Sequence, residues 1–281
     1  MNRHFTDPLA LTCIALWLLI CLAAVFADVI TRCDYRAQDL TLRLQPPSRG
    51  HPFGCDHLGR DILSRVIHGA RTSLSISVLV VLIAMSVGTC IGLLSGTAGM
   101  VVDTMIMRTC DIFLAFPGIL LAIAMAAIMP QTRYSIIIAL STISWVGFAR
   151  LTRGQVLSVK EQEYILAARS LGAGYWRVTV RHILPNCLSP LIVQATMSLA
   201  SVILAESSLA FLGLGVGPPY PSWGGMLSSA LDYMLDAPHM VLFPGLAIVA
   251  TVLTINLLGD RLRDFFDPRF KPIPRAGGLL K

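Results

Sequence analysis

The chain has 281 residues, 55% of them hydrophobic and 14% charged, against about 25% charged in soluble domains; an ordinary soluble fold is excluded in favour of an all-α membrane protein with about six transmembrane helices. Lys and Arg total 22 against 16 Asp and Glu, a balance of +6, which in a membrane chain reads as a topology signal and not as a nucleic-acid footprint. The seven cysteines show no C-x-x-C spacing and the six histidines no cluster, so the expected metal content is none.

Pro8 to Ile30 is apolar until Asp28, long enough to cross about 30 Å of hydrocarbon. Arg3 ahead of it and Val25-Phe26-Ala27 also suit a cleaved signal peptide, but the run exceeds a usual signal core. Thr31 to Arg71 reads as a polar loop, irregular in its first half because of Pro46, Pro47, Gly50, Pro52 and Gly54. From Asp56 onward, Leu58, Ile62, Leu63, Val66 and Ile67 form an amphipathic pattern that predicts a helix lying along the membrane surface. The second span covers about Leu74 to Leu94. Gly88, Gly92 and Gly96 bare one helix face at every fourth residue, where another backbone, of this chain or of a partner, can approach closely. Thr97 to Thr109 reads as a short turn, Ile112 to Met129 as a third span with Pro117 near its start, and Tyr134 to Phe148 as a short fourth span. Leu188 to Leu212 is the fifth, interrupted by Glu206. Gly213 to His239 is a Gly- and Pro-rich loop containing Trp223, Met240 to Leu258 is the sixth span, and the tail from Asp260 is charged.

Between the fourth and fifth spans lies a polar, basic island, Glu163 to Asn186. Ser158 and Glu161 form an S-x-x-E capping box that predicts a helix start after Leu157. Tyr164, Leu166, Ala167, Ala168 and Leu171 supply an apolar face, while Glu161, Glu163 and Arg169 stay wet. Gly172 and Gly174 permit the positive φ of a helix stop, Tyr175 to Ile183 forms a second short helix, and Pro185 ends it. Six crossings put both termini on one side. Fourteen of the Lys and Arg residues fall on that side and eight on the other, so the positive-inside rule places both termini and the island in the cytoplasm. Seven of those eight crowd into the first loop, from Arg32 to Arg71, and pull against that assignment. The same topology leaves Cys33 and Cys55 in the oxidising compartment, as free thiols or as a bond tying the first span to the loop.

Within the island, Glu163, Ala167, Ala168, Gly172, Ile183, Leu184 and Pro185 fall where the EAA loop of bacterial ABC-importer permeases places its own residues. Elsewhere, His51-Pro-Phe-Gly54, Leu58-Gly-Arg-Asp61, Ala115-Phe-Pro117, Arg181-His-Ile-Leu-Pro-Asn186, Phe211-Leu-Gly-Leu-Gly215, Pro221-Ser-Trp-Gly224 and Gly259-Asp260 extend the match from about His51 to Phe270. The chain thus resembles the C-type permease subunit of the dipeptide, oligopeptide and nickel importer group. It departs at Cys55, where relatives carry threonine, and at Gly96 to Met100, which is poorer in glycine. The resemblance implies an inner-membrane subunit with an N-terminal helix and outer segment over 1–70, a permease core over 71–265 and a cytoplasmic tail over 266–281. It also implies a second homologous permease, two ATPase subunits that hold the ATP and magnesium, and a periplasmic binding protein. Its EAA loop would be the ATPase dock. Independently of the resemblance, the place of Glu206 six residues before Leu212 suggests the outer part of the fifth span, facing the transport pathway or a partner, or else a protonated or hydrogen-bonded packing residue. A carboxylate costs about 2.5–3.5 kcal/mol at the bilayer centre.

The chain holds no G-x-x-x-x-G-K-[ST] and no H-E-x-x-H, so it is read as a non-enzymatic transport subunit without a cofactor of its own. An ion-coupled carrier would need ionisable groups at mid-membrane, where only Glu206 comes close. An intramembrane enzyme would need a paired acid or nucleophile set, and none is recognisable. Short peptides are the expected cargo, with nickel chelates or glutathione as alternatives. The scattered methionines, cysteines and histidines offer no ligand spacing along one span.

Overall fold

The computed structural model describes residues 8–266, with side chains from residue 11 onward; the tail expected over 266–281 lies, from residue 267 on, outside them. Eleven α-helices follow in order: α1 (Pro8–Val25), α2 (Ala27–Ile30), α3 (Ile62–Thr97), α4 (Met100–Ala115), α5 (Gly118–Ile128), α6 (Arg133–Val159), α7 (Glu163–Ser170), α8 (Tyr175–Val178), α9 (Leu184–Phe211), α10 (Trp223–Ala230) and α11 (His239–Phe266). Among the described residues the only β-pairing is one isolated bridge, Cys55 with Asp61.

The spine is α3 against α6, and glycine makes it. A Cβ on Gly88 would lie 2.5 Å from the Trp145 carbonyl oxygen, one on Gly92 2.5 Å from that of Ala149, and one on Gly96 2.6 Å from Val156 Cγ1. The contacts advance together along both helices, so α3 and α6 run parallel, and the bare glycine face meets this chain and not a partner. Two parallel helices require a return between them. That return is α4 with α5, where Asp103 meets Arg153, Phe113 packs edge-on to Trp145 and Gly118 faces Ile143. α9 runs opposite to α3, from Tyr175 bonded to Thr97 at one end to Glu206 beside Ser73 at the other. α11 returns along α9, with Gly259 against Met197 and Ile248 clustered with Ile203. Asp28, beyond α1, pairs with Arg71 at 2.9 Å, and Trp17 shares a groove with Leu82, so α1 opposes α3. The start of α1 and the end of α11 therefore lie at the same end of the bundle as α7.

Four helical stretches are long and apolar enough to cross a membrane: Ile62–Thr97, Arg133–Val159, Tyr175–Phe211 and His239–Phe266. The pair α4 and α5 makes a fifth, bent by 80°. Proline explains the bend: Phe116, pushed out of the helical region by Pro117, has ψ 139°, and Pro117 is the N-cap of α5, with ψ 117°.

Several sequence expectations change. The stretch from Ile62 is no separate surface helix but the first turns of α3, which runs unbroken across residues 70 and 71. Its amphipathic pattern arises because other parts of the chain cover one side, with Ile62 buried against Met226, Ala230 and Met240. Asp61 caps it, accepting from the Ser64 N–H at 2.8 Å. The expected turn over 97–109 is mostly helix α4. The fourth span continues past Phe148 to Val159, so the Ser158–Glu161 capping box never forms. Gln162 precedes α7, without a side-chain cap. Pro185 does not end a helix either. It sits in the first turn of α9, directly after a π-turn over Thr179–Ile183 that accommodates its missing N–H and keeps the chain helical from Tyr175 to Phe211.

Candidate functional site

At the α7 end of the bundle, one buried side chain fastens α7. Ile165, 0% exposed, belongs to the main core cluster with Val156, Val178, Ile183 and Leu191. Sequence reasoning missed it. The face expected from Tyr164, Leu166, Ala167, Ala168 and Leu171 is instead mostly exposed, with only Ala168 half-buried. Leu171 is 89% exposed and Trp176, not singled out from the sequence, 75% exposed. Ile165 is the lone β-branched residue of α7, but in so apolar a chain nothing in the pattern marks which aliphatic turns inward.

The stop of α7 follows from backbone chemistry. Gly172 has φ +83°, its N–H donates to the Arg169 carbonyl at 2.9 Å, and the Ala173 N–H donates to the Ala168 carbonyl at 3.0 Å. This is a Schellman arrangement, which an L side chain at Gly172 would strain. Gly174, expected to share that geometry, has φ −65° and simply precedes α8. Of the remaining residues that matched the EAA pattern, Glu163, Ala167 and Pro185 are exposed, Leu184 is half-buried and Ile183 is buried in the core. α7 is thus anchored from below by Ile165, which shares the core cluster with Ile183, while α7 presents leucine and alanine outward and α8 presents Trp176.

Charge-assisted pairs brace the same end. Arg153 grips Asp103 through Nε at 2.5 Å and a second nitrogen at 2.6 Å, and Ser95 donates to the same carboxylate. Arg150 pairs with Asp111 one turn further along. These contacts join α3, α4 and α6 directly behind the island.

The sequence comparisons cover most of the chain. Residues 88–272 match the family described as binding-protein-dependent transport system inner membrane component. The chain belongs to that family. The permease is 44% identical over 250 residues to the dipeptide transport system permease protein DppC of Alkalihalophilus pseudofirmus, covering 89% of this chain and 82% of that protein. It is 48% identical over 225 residues to the glutathione transport system permease protein GsiD of Pectobacterium atrosepticum, covering 80% and 75%. Among solved structures, the inward-facing MetNI methionine ABC transporter superposes with a TM-score of 0.62 at 18% identity, over 73% of this chain and 98% of that one. At that identity the likeness is one of fold.

At the opposite end of the permease, Glu206 is 0% exposed and faces neither an open pathway nor an outer surface. Ser207 donates to its Oε2 at 3.5 Å and Ser73 of α3 lies alongside, while Oε1 has no partner among the described residues. The loop over 213–239 is largely ordered. Trp223, 1% exposed, donates to the Val66 carbonyl at 3.0 Å, and Gly224 lies so close to α9 that a Cβ would be 2.1 Å from the Ser207 carbonyl oxygen. All seven cysteines are free thiols. Burial, with Asp61 and Asp56 beside it, pushes the Cys55 thiol up to about 11, which keeps it protonated at neutral pH and a poor partner for disulfide exchange.

Proposed function

We propose that this permease carries short peptides inward, with α7 and both chain ends in the cytoplasm and α7 acting as the coupling helix. In this reading Glu163 to Leu171 sits in a groove of a cytosolic ATPase. Closure of the ATPase dimer on ATP carries the helix, and Ile165 and Ile183 pass the motion into α9 and α6. A second homologous permease completes the pathway, and a periplasmic binding protein delivers cargo at the end formed by 31–61 and α10. The observation that carries the reading is the outward display of Leu166 and Leu171 on and just after α7, and of Trp176 on α8, with α7 anchored by its one buried residue, Ile165. Apolar side chains displayed this way are characteristic of a protein interface. Relatives named for dipeptide and for glutathione transport, itself a tripeptide, support a short-peptide cargo.

Orientation is tested by labelling. Leu171 and Leu235 are 89% and 90% exposed at opposite ends. A membrane-impermeant maleimide is expected to label Leu235→Cys in intact cells and Leu171→Cys only after permeabilisation; the reverse result overturns the orientation. Cargo is tested by calorimetry of the cognate binding protein against di- and tripeptides, glutathione and nickel–histidine. Tight binding of a peptide is expected. A nickel chelate bound tightly, with no response to any peptide, would sink the peptide reading and leave family membership intact.

A further inference from the structure

Three side chains that are distant in sequence meet beside the first turn of α3. The ligand atoms of Cys33, His51 and Asp61 all lie within 4.8 Å of one another. Cys33 follows the α2 exit, His51 comes from the 31–61 segment, and Asp61 is the N-cap of α3. We infer that this trio is a binding site for one borderline divalent transition ion of the zinc class, which clamps the chain leaving α1 and α2 to the outer segment and to α3.

Charge partition beside the site supports this. Two acidic residues, Asp56 and Asp61, are buried here at 5% exposure each, but they have different partners. Asp56 takes the arginines, with Arg60 Nε at 2.7 Å and Arg65 Nε at 3.5 Å. The only ion-pair partner of Asp61 among the described residues is His51, whose Nδ1 lies 2.9 Å from Oδ1. A buried carboxylate beside an imidazole and a free thiol, without a fixed cation, is a site whose charge a divalent ion would balance: one thiolate and one carboxylate make it neutral.

The ligand set fits the ion. Sulfur, imidazole nitrogen and carboxylate oxygen are all zinc ligands, and three of them leave a fourth position for water. Zinc bond lengths of about 2.0–2.3 Å put tetrahedral ligand atoms roughly 3.3–3.7 Å apart, so the Cys33 sulfur must draw in by about 1 Å, while the His51–Asp61 pair, at 2.9 Å, must open by roughly half an ångström. Cys33, half-buried on irregular backbone, can supply that movement by rotation. Asp61 would bind through Oδ1 while Oδ2 keeps the Ser64 N–H, which orients the ligand as outer contacts do in metal sites. Binding requires His51 as the tautomer with its proton on Nε2, and it releases the Cys33 thiol proton to solvent.

The test uses the full chain purified with its partner subunits on a histidine-free tag, stripped of metal and kept under a phosphine reductant. Cobalt(II) is expected to bind at one equivalent and give a thiolate-to-cobalt absorption band, which zinc(II) abolishes by displacement. Cys33→Ser is expected to remove the band, and His51→Ala to weaken zinc binding at least about tenfold. Cys90→Ser, an exposed cysteine elsewhere, should change neither. Unfolding midpoints of the metal-free variants, expected to match the parent, separate ligand loss from misfolding. Absence of stoichiometric binding, or a Cys33→Ser protein that keeps band and affinity, overturns the site.

Discussion

Gly92→Leu is expected to leave no folded permease. Even the first carbon of a side chain at this position would stand 2.5 Å from the Ala149 carbonyl oxygen and 2.6 Å from Thr152 Cβ, and backbone cannot rotate away as a side-chain tip can. Gly92→Ala should therefore cost about 1–3 kcal/mol by overpacking, although alanine is the better helix former. Leucine must drive α3 off α6 altogether. That interface also carries Ser95 and Asp103 into register with Arg153, so its loss uncouples α4 as well. Gly147, on α6 with nothing within 4 Å of an added Cβ, is the matched control: Gly147→Ala should be neutral or stabilising by up to about 1 kcal/mol. Yield of monodisperse protein and the thermal midpoint in detergent measure both. A Gly92→Leu protein with the parent's midpoint would mean that α3 and α6 do not touch there.

Gly172→Trp is expected to insert and fold yet lose transport by more than about tenfold, if α7 couples to an ATPase as proposed. Inside the chain the substitution meets open space, because no atom lies within 4 Å of an added Cβ. The intrinsic penalty is the positive φ, about 1–2 kcal/mol for an L residue, which a folded membrane bundle can absorb. Outside the chain, an indole would stand on the same surface as Leu171 and obstruct a seated partner. Gly172→Asn separates the two effects, since asparagine tolerates left-handed backbone and adds little bulk; it should retain most uptake. Substrate-driven uptake into proteoliposomes, normalised to inserted permease, is the measurement. Normal transport by the tryptophan variant, with the ATPase still bound, would remove α7 from the coupling role.

The sequence alone determined what depends on composition and local backbone. A hydrophobic share of 55% sets the membrane class, the every-fourth-residue spacing of Gly88, Gly92 and Gly96 sets a bare helix face, and Gly172 sets the end of α7, because these are properties of single segments. Tertiary structure decided the rest. Only packing shows that the glycine face meets α6, that Ile165 and not its aliphatic neighbours turns inward, and that Glu206 is enclosed. In a membrane chain the lipid-facing side of a helix is as apolar as the buried one, so hydrophobic pattern does not report burial. Pro117 was legible only as a proline near the start of the third span, and whether a proline kinks a helix or breaks it by 80° depends on what α5 packs against. The meeting of Cys33, His51 and Asp61 was equally illegible: the spacing of 18 and 10 residues matches no local ligand motif, and the convergence arises only when the 31–61 segment folds back onto the first turn of α3.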